Sequence, residues 1–241
     1  MLYELLVLST CFIANAIATI TGFGVSTLLT PTLLWFFPLK EAVLLVCIVH
    51  LFHDLWKTLL FHRFINYAVT IKFGLSAVCA AAVSSYILAT YQLPNLPMIF
   101  GVFLLLYAAV LLFNPHIRIK INWITITISG IFSGFIAGIF GIFGTMRSTF
   151  LLSFNSDKKS FAGTSGAISC LVNGARLVVY LYGGITLTNN AFLVLPFLLG
   201  TSFLGTLVGR YLVHRIPIAL FRKIVLLFII GAAINLIIIS L

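Results

Sequence analysis

Apolar residues run along this chain in long continuous stretches separated by short polar segments. The stretches are too extended for the stripe of a soluble amphipathic helix and lack the alternation of a half-buried strand. The first, Leu2 to Phe37, would reach about 54 Å as a helix, too long for one crossing of a ~30 Å hydrocarbon core. It is interrupted at Thr21-Gly22-Phe23-Gly24, and Pro31 punctuates its second part. Spans are predicted at roughly 41–61, 67–90 and 95–113, ending in the loop Asn114 to Lys120. A second long stretch, Asn122 to Asn155, is interrupted at Gly141 to Gly144, and spans at roughly 160–183, 189–212 and 217–240 follow.

This order recurs at an offset of 120 residues, which places Phe23 and Gly24 on Phe143 and Gly144, Ala42 on Ala162, and Ile65 on Ile185. The reading is a single transmembrane domain over residues 1–241 with internal repeats 1–115 and 121–241. Loop charge then sets the topology. Basic residues cluster at Arg63/Lys72, Arg118/Lys120, Lys158/Lys159 and Arg210/Arg215/Arg222/Lys223. The loops Tyr91 to Pro97 and Gly183 to Asn190 carry no charge, and Lys40 and Glu41 are read as cancelling. If each long stretch is a hairpin broken at its glycines, all four basic clusters share the cytoplasmic face and both termini lie outside. Each half then crosses an odd number of times, so the repeats are inverted. The expected fold is an all-α integral membrane bundle of two inverted repeats, each with a glycine-broken re-entrant helix and three spans.

Composition sharpens the class. The chain is 62% hydrophobic and 7% charged with a mean hydropathy of +1.22, which excludes a soluble globular domain. Continuous runs exclude a β-barrel, whose strands alternate. The net charge of +10 is accounted for by positive-inside loops rather than by nucleic acid. Cys11, Cys47, Cys79 and Cys170 lie inside apolar runs with no C-x-x-C pair, so no disulfide framework or zinc site is expected. Met1 to Ile20 lacks a basic start, carries Glu4 and is as long as a span, unlike a signal peptide. The expected location is the cytoplasmic (inner) membrane, with no cofactor and with a homodimer as one open assembly.

Chemistry concentrates in two places. The segment Gly130 to Phe154 carries Gly130, Gly134, Gly138, Gly141 and Gly144 at steps of 4, 4, 3 and 3. They form one stripe roughly 120° wide, suited to close approach by another helix in lipid. Arg147 follows the last glycine, and Arg176 lies on the next span. A guanidinium offers a fork of donors matched to oxyanions, and intramembrane arginines are costly enough to mark function. The alternative is pairing with Asp54 or helix-end carbonyls, or snorkelling to an interface.

The second place is His50, His53, Asp54 and Lys57, spaced i, i+3, i+4, i+7 on one face of the 41–61 helix. Such a stripe must face the bundle interior or water. The repeat offset puts Cys170, Asn173 and Arg176 opposite His50, His53 and Trp56, so both halves aim polar groups at one place, with Asn15 contributing. The expected anion site is Arg147, Arg176, His50, His53 and Asn173, with hinges at Gly22, Gly24, Gly141 and Gly144 and with Thr145. His50, His53 and Asp54 are candidates for proton coupling. The competing reading is a satisfied Asp54–Lys57 and His50–Asp54 network near the cytoplasmic interface. Lys57, one turn from Arg63, is read as snorkelling to the cytoplasm. Thr145, Ser148, Thr164, Ser165 and Ser169 could line the site, though packing between helices is the commoner use of such residues.

The motifs ITGFGVSTLLTPTLL and GFIAGIFGIFGTMRSTFLL, followed by Phe161-Ala162-Gly163-Thr164-Ser165 and the helix end Tyr180-Leu181-Tyr182-Gly183-Gly184-Ile185, resemble the sulfite exporter TauE/SafE family. That family is also called the toluene sulfonate uptake permeases. Pro31 stands where the family has proline; the glycine runs are reduced, and Met146-Arg147 replace small residues. The resemblance implies transport of sulfur-containing anions such as sulfite or organosulfonates. Three alternatives remain. One is a carrier of another small anion on the same scaffold. Another is a metal carrier using His50, His53 and Asp54. The last is an intramembrane protease, because Gly163-Thr164-Ser165-Gly166 matches a rhomboid serine motif; its only downstream histidine is His214.

Overall fold

The computed structural model describes residues 2–21, 24–91, 94–113, 122–141, 144, 147–148, 151, 158–212, 230–231, 233–234 and 237–238. Described elements are all helical: α1 (Leu2–Thr21), α2 (Val25–Leu33), α3 (Leu39–Leu60), a 3-10 turn (His62–Phe64), α4 (Tyr67–Thr90), α5 (Leu96–Phe113), α6 (Trp123–Phe140), α7 (Lys158–Tyr182) and α8 (Asn189–Leu212). Gly144, Arg147, Ser148 and Leu151 are also helical, as are the described positions from 230 to 238. Five helices, within α3, α4, α6, α7 and α8, are long and apolar enough to cross a bilayer. The chain is a multi-pass membrane protein. Its outer surface carries Ile71, Leu75, Ile124, Ile128, Phe132 and Phe197, while Asp54, Lys57, Arg147 and Arg176 lie inside.

Both breaks occur where the chain needs a left-handed residue. Gly24 sits at φ 137 ahead of α2, and Gly141 at φ 74 closes α6 by donating to the Ala137 carbonyl at 2.9 Å. The second break therefore falls at Gly141, with Gly144 already inside helix; Gly22 lies outside the described residues. The nine residues of α2 rise only about 14 Å, under half a bilayer, and all of them are buried.

Two seams hold the bundle by close backbone approach. Along α6, Gly130, Gly134 and Gly138 face the Phe73, Ala77 and Ala81 carbonyls of α4. A Cβ on Gly134 would lie 2.8 Å from the Ala77 Cα. Along α8, Gly205 and Gly209 meet Phe12 and Ala16 of α1 in the same manner. The 120-residue offset exchanges α1 with α6 and α4 with α8, so it converts one seam into the other. Phe140, just before the second break, stacks on Phe100 of α5 at 4.5 Å between centroids.

Lys40 and Glu41 do more than cancel. The Lys40 ammonium donates to the Ala89 carbonyl at 3.1 Å, at the C-terminal end of α4. Glu41 Oε1 accepts from the Thr188 backbone N–H and hydroxyl at 2.6 and 2.7 Å, at the start of α8. Each charge sits at the helix end whose dipole favours it. At the opposite end, the Thr164 hydroxyl of α7 accepts from the Asn66 backbone N–H at 2.9 Å, where α4 begins.

Candidate functional site

The i, i+3, i+4, i+7 stripe of α3 faces α7 in the middle of the bundle. His50, His53, Asp54 and Lys57 are all buried, the most exposed at 2%. From α7, the Asn173 amide donates to Asp54 Oδ2 at 3.1 Å and its carbonyl accepts from Arg176 NH1 at 2.6 Å. Arg176 Nε and NH2 donate to the Tyr180 hydroxyl at 3.3 and 3.2 Å. Tyr180 then donates its single proton to the Gly138 carbonyl of α6. The donors therefore run in one direction from Arg176: through Asn173 to the Asp54 carboxylate, and through Tyr180 to the end of the broken helix. An amide thus separates the guanidinium from the carboxylate, a bridge in place of a direct ion pair. The Asn173 backbone carbonyl also accepts from Cys47 Sγ at 3.3 Å, which locks α3 against α7.

Asp54 is shared on its own helix. His50 Nε2 lies 3.5 Å from Oδ2, and Lys57 Nζ lies 3.9 Å from Oδ1. The expectation that Lys57 snorkels is corrected: it is 1% exposed and donates to Ser165 Oγ at 3.3 Å. Leaving this network for an interface would strand a buried carboxylate, which costs more than ordering the lysine chain. The serine of the Gly-x-Ser-Gly motif thus serves as acceptor to a lysine.

His53 points away, toward α8. Its Nδ1 lies 3.0 Å from Thr206 Oγ1, whose proton goes to the Ser202 carbonyl at 2.8 Å. Nδ1 must therefore carry the hydrogen. Ser202 Oγ donates to Asn15 Oδ1 at 2.8 Å, so Asn15 joins through α1 as the sequence suggested. His50 Nδ1 and His53 Nε2 have no hydrogen-bond partner among the described residues.

The second break adjoins this network. A Cβ built on Gly141 would lie 3.4 Å from Arg176 NH2, 3.6 Å from Thr30 Oγ1 of α2 and 3.7 Å from Val43 of α3. Three elements from both halves thus converge there. Arg147 is fully buried and within electrostatic reach of His50, His53, Asp54 and Lys57. Gly24 and Gly144 are buried, as are Ser148 and Ser169; Thr145 lies outside the described residues. Among the described residues no group of three His, Cys, Asp or Glu side chains is placed to hold a metal.

Sequence reasoning missed Tyr180, Ser202, Thr206 and the hydroxyls of α2. Tyr180 carried a signal, being four residues after Arg176 on one helix face. The stretch Ser26-Thr27-x-x-Thr30 carried another, three hydroxyls just past a glycine break. Thr206 lies 153 residues from His53, and nothing local pairs them.

The family model described as Sulfite exporter TauE/SafE matches residues 7–236, nearly the whole chain. No curated protein and no solved structure matches it.

Proposed function

We propose that this chain, which belongs to the sulfite exporter TauE/SafE family, carries a small sulfur-containing anion at the α3–α7 seam by alternating access. Membership makes it a membrane transporter of the sulfite and sulfonate exporter type, a class that is not enzymatic. The observation that carries the anion reading is Arg176: fully buried, with its hydrogen bonds going to the uncharged Asn173 and Tyr180. A buried cation of this kind is costly in a bilayer and gains most from an oxyanion presented to its remaining hydrogens. Arg147 adds a second cation, and His50 adds a ring nitrogen.

Inverted repeats with broken helices are the proposed moving parts. In their favour stand the short buried α2, a positive-φ glycine at each break, and two glycine seams exchanged by the repeat offset. The basic loops are proposed as cytoplasmic, in an inner membrane. Proton coupling through His50, His53 and Asp54 belongs to the same proposal, supported by the two unpartnered ring nitrogens.

Thermal shift of the detergent-solubilised protein against sulfite, sulfate, thiosulfate, sulfoacetate, taurine, acetate and phosphate tests the reading. A sulfur oxyanion at about 100-fold its dissociation constant stabilises by roughly 2.7 kcal/mol, and Arg176→Gln abolishes the shift. A flat response to every anion overturns it. For the coupling, transport indifferent to an imposed pH gradient removes the histidines' role.

A further inference from the structure

Two threonines on α2, two residues apart, are both fully buried and differ in one respect. Thr32 Oγ1 donates to the Leu28 carbonyl at 2.8 Å, the usual solution for a helical threonine in an apolar interior. Thr30 is equally buried, and its hydroxyl has no hydrogen-bond partner among the described residues. A buried hydroxyl without a partner is a net cost that valine, the same shape, would avoid. Its surroundings indicate a use. The position a Cβ would take on Gly141 is 3.6 Å from Thr30 Oγ1 and 3.4 Å from Arg176 NH2. The bond from NH2 to Tyr180 takes one of that nitrogen's two hydrogens and leaves the other. The glycine holds φ 74, so a side chain there would be strained.

We propose that the space beside Gly141, between Arg176 NH2 and the Thr30 hydroxyl, is the seat of one oxygen of the cargo oxyanion. The inference rests on the reading of Arg176 as the anion-binding cation and adds a neutral donor from the other half of the chain. Thr30 reaches the oxygen from the half-helix that follows the first break, and Gly141 is itself the second break. One cargo atom then lies against the second break and the half-helix that follows the first. A cargo bound this way must carry an oxygen with lone pairs for two donors, as a sulfite or sulfonate oxygen does.

The test compares Thr30→Val, Thr32→Val and Arg176→Gln in the purified full chain, with sulfite and sulfate as probes. In the absence of anion, Thr30→Val melts at or above the wild-type temperature because it removes an unsatisfied hydroxyl, while Thr32→Val melts no higher than wild type. With anion, Thr30→Val binds roughly tenfold more weakly, the loss of one hydrogen bond to a charged group. Thr32→Val binds within about twofold of wild type. Wild-type affinity in Thr30→Val, with Arg176→Gln impaired, overturns the subsite and leaves the transport reading standing. So does a melting temperature of Thr30→Val well below that of wild type, because the hydroxyl would then be serving the fold. No binding of either anion by the wild-type chain overturns the anion reading and the subsite together.

Discussion

Two helix–helix seams lie side by side in this bundle and are held by opposite means. Between α4 and α6 the backbones touch, because Gly130, Gly134 and Gly138 remove every Cβ that would separate them. Between α3 and α7 the contact is made by long polar side chains, from Asp54 through Asn173 to Arg176 and Tyr180. The first seam gives van der Waals contact at no polar cost, which suits a joint meant to stay closed. The second carries charges out of water and repays that only through a complete network. A buried ion network can be rearranged by a competing anion, whereas a glycine seam has no partner to exchange. The difference suits α4–α6 to a frame and α3–α7 to the proposed site.

The largest expected effect breaks the frame. Gly134→Leu places a Cβ 2.8 Å from the Ala77 Cα with no room to yield, so the variant loses its monodisperse folded form on size-exclusion chromatography. Gly209→Leu, 2.9 Å from the Ala16 Cα, behaves alike. An assembled Gly134→Leu protein with an unchanged melting temperature would refute the seam's role. Next comes Asp54→Leu, which leaves Lys57 buried without its carboxylate and costs about 3–5 kcal/mol in thermal or denaturant unfolding. Tyr180→Phe keeps the ring and strands the Gly138 carbonyl, at a cost of about 1–3 kcal/mol. Because the same hydroxyl orients Arg176, anion affinity falls with it, and combining Tyr180→Phe with Arg176→Gln produces no further loss of affinity. Additive affinity losses would separate the two residues. The smallest effect has the opposite sign. Gly174 lies on α7 with nothing among the described residues within 4 Å of a built Cβ, so Gly174→Ala stabilises by up to about 1 kcal/mol through helix propensity. A large loss there would mean that α7 moves against a neighbour in another state.

The repeat offset predicted that His53 and Asn173 would converge, and both are buried, but they are bonded to different groups. It did not assign their partners: His53 turns to α8 and Asn173 to Asp54. Lys57 was misjudged for a local reason. Its distance along the helix from Arg63 suggested an interface, while the serine that holds it lies 108 residues away. Lys40 and Glu41 were counted only as opposite charges. Adjacent opposite charges look like a cancelling pair, and the helix ends that they serve are 49 and 147 residues off.

What the sequence determined by itself was everything set by local periodicity and solvent preference. The spans 67–90 and 189–212 stand at α4 and α8, the glycine face of α6 points at a helix, and the polar stripe of α3 faces inward. Lipid leaves no alternative for such patterns, because every backbone polar group must be bonded within its own helix and every charge must turn from the hydrocarbon. The tertiary structure alone decided which donor meets which acceptor. Asn173 stands between Arg176 and Asp54, Tyr180 reaches Gly138, and Thr30 has no partner among the described residues while Thr32 bonds its own helix. Hydrogen bonds extend only about 3 Å, so their pairing depends on how the helices cross, and the crossings are fixed by packing between residues far apart in the chain.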